Sequence, residues 1–168
     1  MRKLLFVLLF VASCQSEPQP AGNQTDPQRQ SSSEAPRSRP GASITTLTGL
    51  YEGASGAGPK SQMCMVDPAG ETARFGLVVW GANNHSCSGS GTATRSKGRL
   101  QLRMTGDEAC AIDAAIEGDT IVLPNSVPAG CAYYCGARAR LGGARLTQVG
   151  TGRDDAAKAK DLVGDPLC

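Results

Sequence analysis

Residues 99–104, RLQLRM, alternate strictly: Leu100, Leu102 and Met104 fall on one side of an extended chain, and Arg99, Gln101 and Arg103 on the other. Successive side chains on a strand point to opposite faces, so this pattern predicts a strand with one face in a core and one in water. Cys110, Ile112, Ala114 and Ile116 repeat the alternation against Ala111, Asp113 and Ala115, and TIVLP forms a third run that stops at Pro124. Ser96-Lys97-Gly98, Thr105-Gly106-Asp107-Glu108 and Glu117-Gly118-Asp119 separate these runs, each with a glycine able to take positive φ. Connections this short join antiparallel neighbours, which predicts a meander.

Upstream, TLTGLYEG, QMCMV, ARFGLVVW and CSGSGTAT read as four more strands, and LGGARLTQV downstream raises the number from seven to eight. Short strands joined mainly by hairpins predict a small mainly β fold, an antiparallel meander closing into a barrel, with a two-sheet sandwich as the alternative. Near the end, Asp154-Asp155 precede AAKAKDLV, a short helix that Gly164 and Pro166 terminate. Cys168 is then placed to bolt this helix to the sheet.

The first residues follow a different pattern. Arg2 and Lys3 precede an unbroken apolar run from Leu4 to Ala12, closed by Ser13 and Cys14. The run falls well short of the ~20 residues that span a bilayer, and its cationic start and small-residue end are those of a secretory signal. Val11-Ala12-Ser13-Cys14 resembles the lipobox of bacterial lipoproteins. That resemblance implies cleavage before Cys14 and attachment of a diacylglycerol to its thiol; ordinary cleavage leaving a free thiol is the alternative. In that family an aspartate after the cysteine signals inner-membrane retention; Gln15 stands here, which implies an outer-membrane anchor facing the periplasm. Residues 15–44, rich in Gln, Ser and Pro and without an aromatic, cannot bury enough surface to offset ordering entropy. The expected organisation is a signal peptide at 1–13, a lipidated disordered tether at 14–44 and a disulfide-stapled β domain at 45–168. As a flexible coil the tether sets the domain about 30 Å from the lipid.

Lys and Arg number 17 against 15 Asp and Glu, and without Arg2 and Lys3 the balance is even. With no net positive field, nucleic acid is excluded as an expected partner. The partners expected are the membrane, through the anchor, and an envelope protein or small ligand. Beyond Cys14 stand Cys64, Cys87, Cys110, Cys131, Cys135 and Cys168, an even number that reads as three disulfides of unassigned connectivity in an exported chain. Metal ligation by Cys131, Cys135 and His85 is the weaker reading, because no CxxC pair is present, and no cofactor is expected.

Catalytic motifs fail on inspection. GASGAGPKS departs from a phosphate-binding loop because Pro59 intervenes between Gly58 and Lys60 and the next segment reads as a strand. Ser88 and Ser90 lack a nucleophile elbow, and a hydrolase would have to pair one of them with His85, the lone histidine, and with Asp107 or Glu108. No catalytic residue is assigned. GCAYYCG is the most distinctive stretch: on a helical turn Cys131 and Cys135 share one face yet cannot bridge each other, so each reaches elsewhere, and Tyr133 and Tyr134 diverge. The binding candidates are Tyr133, Tyr134, Trp80, His85, Arg95 and Lys97. The architecture is similar to that of the membrane-bound inhibitors of C-type lysozyme, and that likeness implies a muramidase-facing role for Arg95, Lys97 and Ser88 or Ser90. The leading expectation is a non-enzymatic envelope lipoprotein, with muramidase inhibition and His85-dependent hydrolysis as alternatives.

Overall fold

A computed structural model describes residues 43–53, 58–69, 71–106 and 109–168. Among these, eight strands follow one another around a closed antiparallel barrel: β1 (Gly49–Glu52), β2 (Gln62–Ala69), β3 (Thr72–Trp80), β4 (Ser86–Ser96), β5 (Arg99–Met104), β6 (Ala111–Glu117), β7 (Thr120–Val122) and β8 (Arg145–Thr151). Pairing of β1 with β8 shuts the sheet and rules out the sandwich; Val149 is the extra residue in that pairing, where the register slips between Leu50 and Tyr51. The predicted turns at Ser96-Lys97-Gly98 and Glu117-Gly118-Asp119 are in place, and part of the third, Asp107 and Glu108, lies outside the described residues. Ser96 pairs with Arg99 across Lys97-Gly98, both at positive φ (49° and 74°), as a two-residue hairpin turn requires.

Inward positions come from alternate residues of every strand, among them Tyr51, Met63, Met65, Phe75, Leu77, Leu100, Leu102, Ile112 and Leu146. The interior is therefore a packed core and not a ligand-holding calyx. On β4 the inward residues are Cys87, Gly89, Gly91 and Ala93, and their smallness makes room for larger neighbours. A Cβ on Gly91 would overlap the Arg103 carbonyl and approach Phe75 Cε1, and one on Gly89 would overlap Met104 Cε. This is the physical meaning of the small-residue run CSGSGTAT.

The end where the chain enters is plugged by residues 43–48. Ile44 and Leu47 are buried there; Ile44 N–H donates to Gly118 O (3.0 Å) and Ile44 O accepts from Arg95 Nη2 (2.6 Å). The folded part thus reaches upstream of residue 45, and Ile44 belongs to the barrel and not to a tether. The rest of the expected signal and tether, Cys14 included, lies outside the described residues. The opposite end is covered by the connection between β7 and β8, which two disulfides hold down: Cys110–Cys131 and Cys87–Cys135.

The third disulfide, Cys64–Cys168, lies on the outer wall. Cys64 points out of the barrel, and with Leu50 it forms a small second core against Ala156 and Ala159, with Val66 and Leu167 packed alongside. The C-terminal helix is shorter and earlier than the sequence suggests, α1 (Arg153–Ala156), with Asp154 and Asp155 in its first turn and Gly152, at φ 98°, as its cap. AAKAKDLV does not continue as helix. Asp161 turns its carboxylate onto the N–H groups of Val163 and Asp165, both at 2.9 Å, and the chain folds back so that Lys160 pairs with Pro166. The expected bolt by Cys168 is present, but it fastens the strap after the helix.

Candidate functional site

The bridged end of the barrel carries the longest connection in the domain, and its course follows from its residues. Leu123 N–H donates to Ala144 O (2.9 Å) and Gly143 N–H to Pro124 O (3.0 Å), so the two arms meet as they leave the barrel. Leu141 and Cys131 are buried on the core, anchoring the middle of the loop. Pro128 opens a 3-10 helix over Ala129–Tyr134, closed by Cys135 N–H donating to Ala132 O (3.1 Å). On this turn the two cysteines diverge as expected, Cys131 to the start of β6 at Cys110 and Cys135 to the start of β4 at Cys87. Their thiols are consumed, so they cannot join His85 as thiolate ligands. Gly136 N–H then donates to Ser86 O (2.9 Å).

The two tyrosines part in the way GCAYYCG predicts. Tyr134 is half-buried against the core, and its hydroxyl donates to Thr105 O (2.8 Å). Tyr133 stands 79 % exposed, packed edge to face on Tyr134 with ring centroids 5.3 Å apart. Beside them the β3–β4 loop makes a 3-10 turn at Ala82–Asn84. Asn83 and Asn84 take left-handed φ (56° and 58°), which asparagine tolerates, and they deliver half-buried His85 to the same side. His85, Ser88, Tyr133, Tyr134 and the exposed Leu162 line a cleft of about 530 Å³.

A second cleft, about 700 Å³, lies across the same loop. Its floor is the rim of β8, β1, β2 and β3, and its far wall is the segment 137–145. Trp80 stands at its edge, half-buried, its backbone N–H donating to Ser61 Oγ (2.9 Å). Arg138, Arg140 and Arg145 line it, separated by glycine and alanine.

Four of the six binding candidates therefore gather at one end: His85, Tyr133 and Tyr134 in one cleft and Trp80 in the next. Arg95 and Lys97 lie at the other end, where Arg95 holds the plug through Ile44 O and Lys97 forms the β4–β5 turn. Ser88 and Ser90 share the outer face of β4, with Ser88 beside the His85 cleft, while Arg95 and Lys97 lie at the far end, so the set implied by the lysozyme-inhibitor likeness does not gather in one place. Asp107 and Glu108, the acids a triad would draw on, lie outside the described residues, and no described carboxylate contacts His85. In the phosphate-loop-like stretch, Lys60 Nζ pairs with Glu52 Oε2 (2.7 Å), which holds the Glu52 carboxyl below its ordinary range.

Arg138 and Arg140 are the residues that the sequence reading passed over. The even charge balance conceals a signal: between Asp119 and Arg153 the chain has no acid, and its charges are Arg138, Arg140 and Arg145 alone.

No known protein family, curated protein or solved structure matches the chain.

Proposed function

We propose that the protein is a non-enzymatic, lipid-anchored envelope protein that binds a partner through the bridged end of its barrel. The observation that carries the binding reading is Tyr133: a solvent-facing aromatic ring on a short 3-10 turn whose flanking cysteines are both fastened to strands. Rigid, exposed tyrosines suit recognition, because they offer a large contact area while little conformational freedom is left to lose on binding. Three disulfides support export to an oxidising compartment, where such bridges persist. The filled interior supports an outer-surface role over that of a ligand carrier. The lipobox-like Val11-Ala12-Ser13-Cys14 supports the anchor and, with Gln15, the outer membrane facing the periplasm.

Two measurements in the native host test the two halves. Metabolic labelling with a clickable fatty acid should mark the wild-type chain and leave Cys14→Ala unmarked; an unlabelled wild type removes the anchor. A photo-crosslinking residue at Tyr133 should give one discrete adduct, and the same residue at Arg99, exposed towards the opposite end, should give none. Indistinguishable adduct patterns from the two positions would remove the binding face.

A further inference from the structure

We infer that the cleft between Trp80 and the segment 137–145 is a binding site for an acidic saccharide, a sugar ring carrying a carboxylate or phosphate. Its volume of about 700 Å³ is of the size that holds a small ligand. Arg138 and Arg140 are exposed on its wall, and neither has an ion-pair or hydrogen-bond partner among the described residues. Arg145, the third arginine of the lining, has its guanidinium held by Glu117 (Nη2 to Oε2, 2.9 Å), an exposed pair that adds little stability and is screened by salt. Two guanidinium groups on residues two positions apart, unpaired among the described residues, offer donors suited to a carboxylate or phosphate.

Trp80 supplies the second element of recognition. Its backbone is fixed at the end of β3 by pairing with Ser86 and by the Ser61 contact, and the half-buried residue lines the cleft, an apolar wall carried on a rigid strand end. The opposing lining is mainly glycine and alanine, which leaves space for a flat ring against that wall. An apolar face beside a cationic edge matches a pyranose with an acidic substituent.

The lining also sets what the site does not do. Among the described residues its lining contains no carboxylate, imidazole or thiol, and the one hydroxyl there, Ser61, is engaged by Trp80 N–H. Residues 54–57, Ala-Ser-Gly-Ala, adjoin it in sequence and carry no ionisable group either. Glycoside cleavage requires two opposed carboxyl groups, so the cleft is built for binding. It shares neither Tyr133 nor the lipid anchor, and it stands or falls independently of both.

Trp80 is the chain's only tryptophan, so its fluorescence reads this cleft directly. The full oxidised chain is titrated with trigalacturonate, a phosphorylated disaccharide, maltotriose, inorganic phosphate and a nucleoside monophosphate. Saturable change with either acidic sugar, and none with maltotriose, is expected. Affinity should fall roughly tenfold or more in the Arg138→Ala/Arg140→Ala double variant, with unchanged thermal unfolding, and should weaken with added salt. Whichever acidic sugar binds more tightly identifies the anion as carboxylate or phosphate. No saturable change with either acidic sugar, equal affinity for maltotriose, or full affinity in the double variant overturns the site. Phosphate or the nucleotide binding as tightly as the sugars overturns the saccharide assignment.

Discussion

At the entry end, Tyr51 Oη donates to Leu47 O at 2.8 Å and accepts from Gln148 Nε2 at 3.1 Å, while its ring is wholly buried. The hydroxyl thus joins the plug to β1 and β8. Tyr51→Phe removes a buried donor and leaves two polar groups short of a partner, a loss of about 1–3 kcal/mol in denaturant unfolding. Burial raises the pKa of this phenol far above its ordinary value of 10.0, against the opposing charge of Arg95. The folded chain keeps the proton at pH values where the unfolded chain has released it. The stability linked to this group is therefore complete below pH 10 and declines above it, by up to about 1.4 kcal/mol per pH unit. The difference in stability between wild type and Tyr51→Phe should shrink as pH climbs past 10; a constant difference would show that Tyr51 titrates normally. At β4, Gly91→Ala places a methyl against the Arg103 carbonyl and 2.9 Å from Phe75 Cε1. A cost of about 1–3 kcal/mol from overpacking is expected, read as a lowered denaturation midpoint at constant slope.

Among the elements, β5 was fully legible: RLQLRM buries and exposes its residues in strict alternation. The run from Phe75 to Val79 on β3 is buried throughout, and its outward Gly76 explains part of this, because the C-terminal strap lies on it with Leu167 O where a side chain would stand. No local pattern announces a strap whose position depends on a cystine reaching back 104 residues. For the same reason AAKAKDLV misleads as a helix: Ala156 and Ala159 are held on the wall while Val163 is 82 % exposed. The divergence of Cys131 and Cys135 could be read from their spacing, but their partners could not, since pairing is set by the barrel's register. Arg138 and Arg140 are hidden in the even charge balance of the whole chain and stand out only along the acid-free stretch between Asp119 and Arg153. The β7–β8 connection should respond to loss of Cys110–Cys131, which closes 21 residues. Cys110→Ala/Cys131→Ala is expected to cost about 3 kcal/mol and to speed hydrogen exchange at Cys135 and Gly136 more than in β2 or β3.

For the whole domain, the decisive quantity is how little apolar bulk fills a closed eight-stranded barrel. The inward set has two aromatic rings within the strands, Tyr51 and Phe75, and much of the remainder is methionine, alanine and leucine. Such an interior leaves little margin over the entropy of ordering the chain, and a typical domain's net stability is only about 5–15 kcal/mol. The disulfides close 21, 48 and 104 residues, and restricting the unfolded chain in this way is worth about 3–5 kcal/mol for each taken alone. Even allowing for non-additivity, their combined effect is comparable to the entire expected stability. The oxidised chain should therefore unfold cooperatively on heating. Fully reduced and alkylated chain should show no barrel signature by circular dichroism at 37 °C and no protected amides in β4 and β5. A reduced chain that melts within a few degrees of the oxidised one would mean that the side-chain core suffices alone. If the reduced chain is unfolded, the barrel can form only where cysteines oxidise, and folding of this sequence is coupled to the redox state of its compartment.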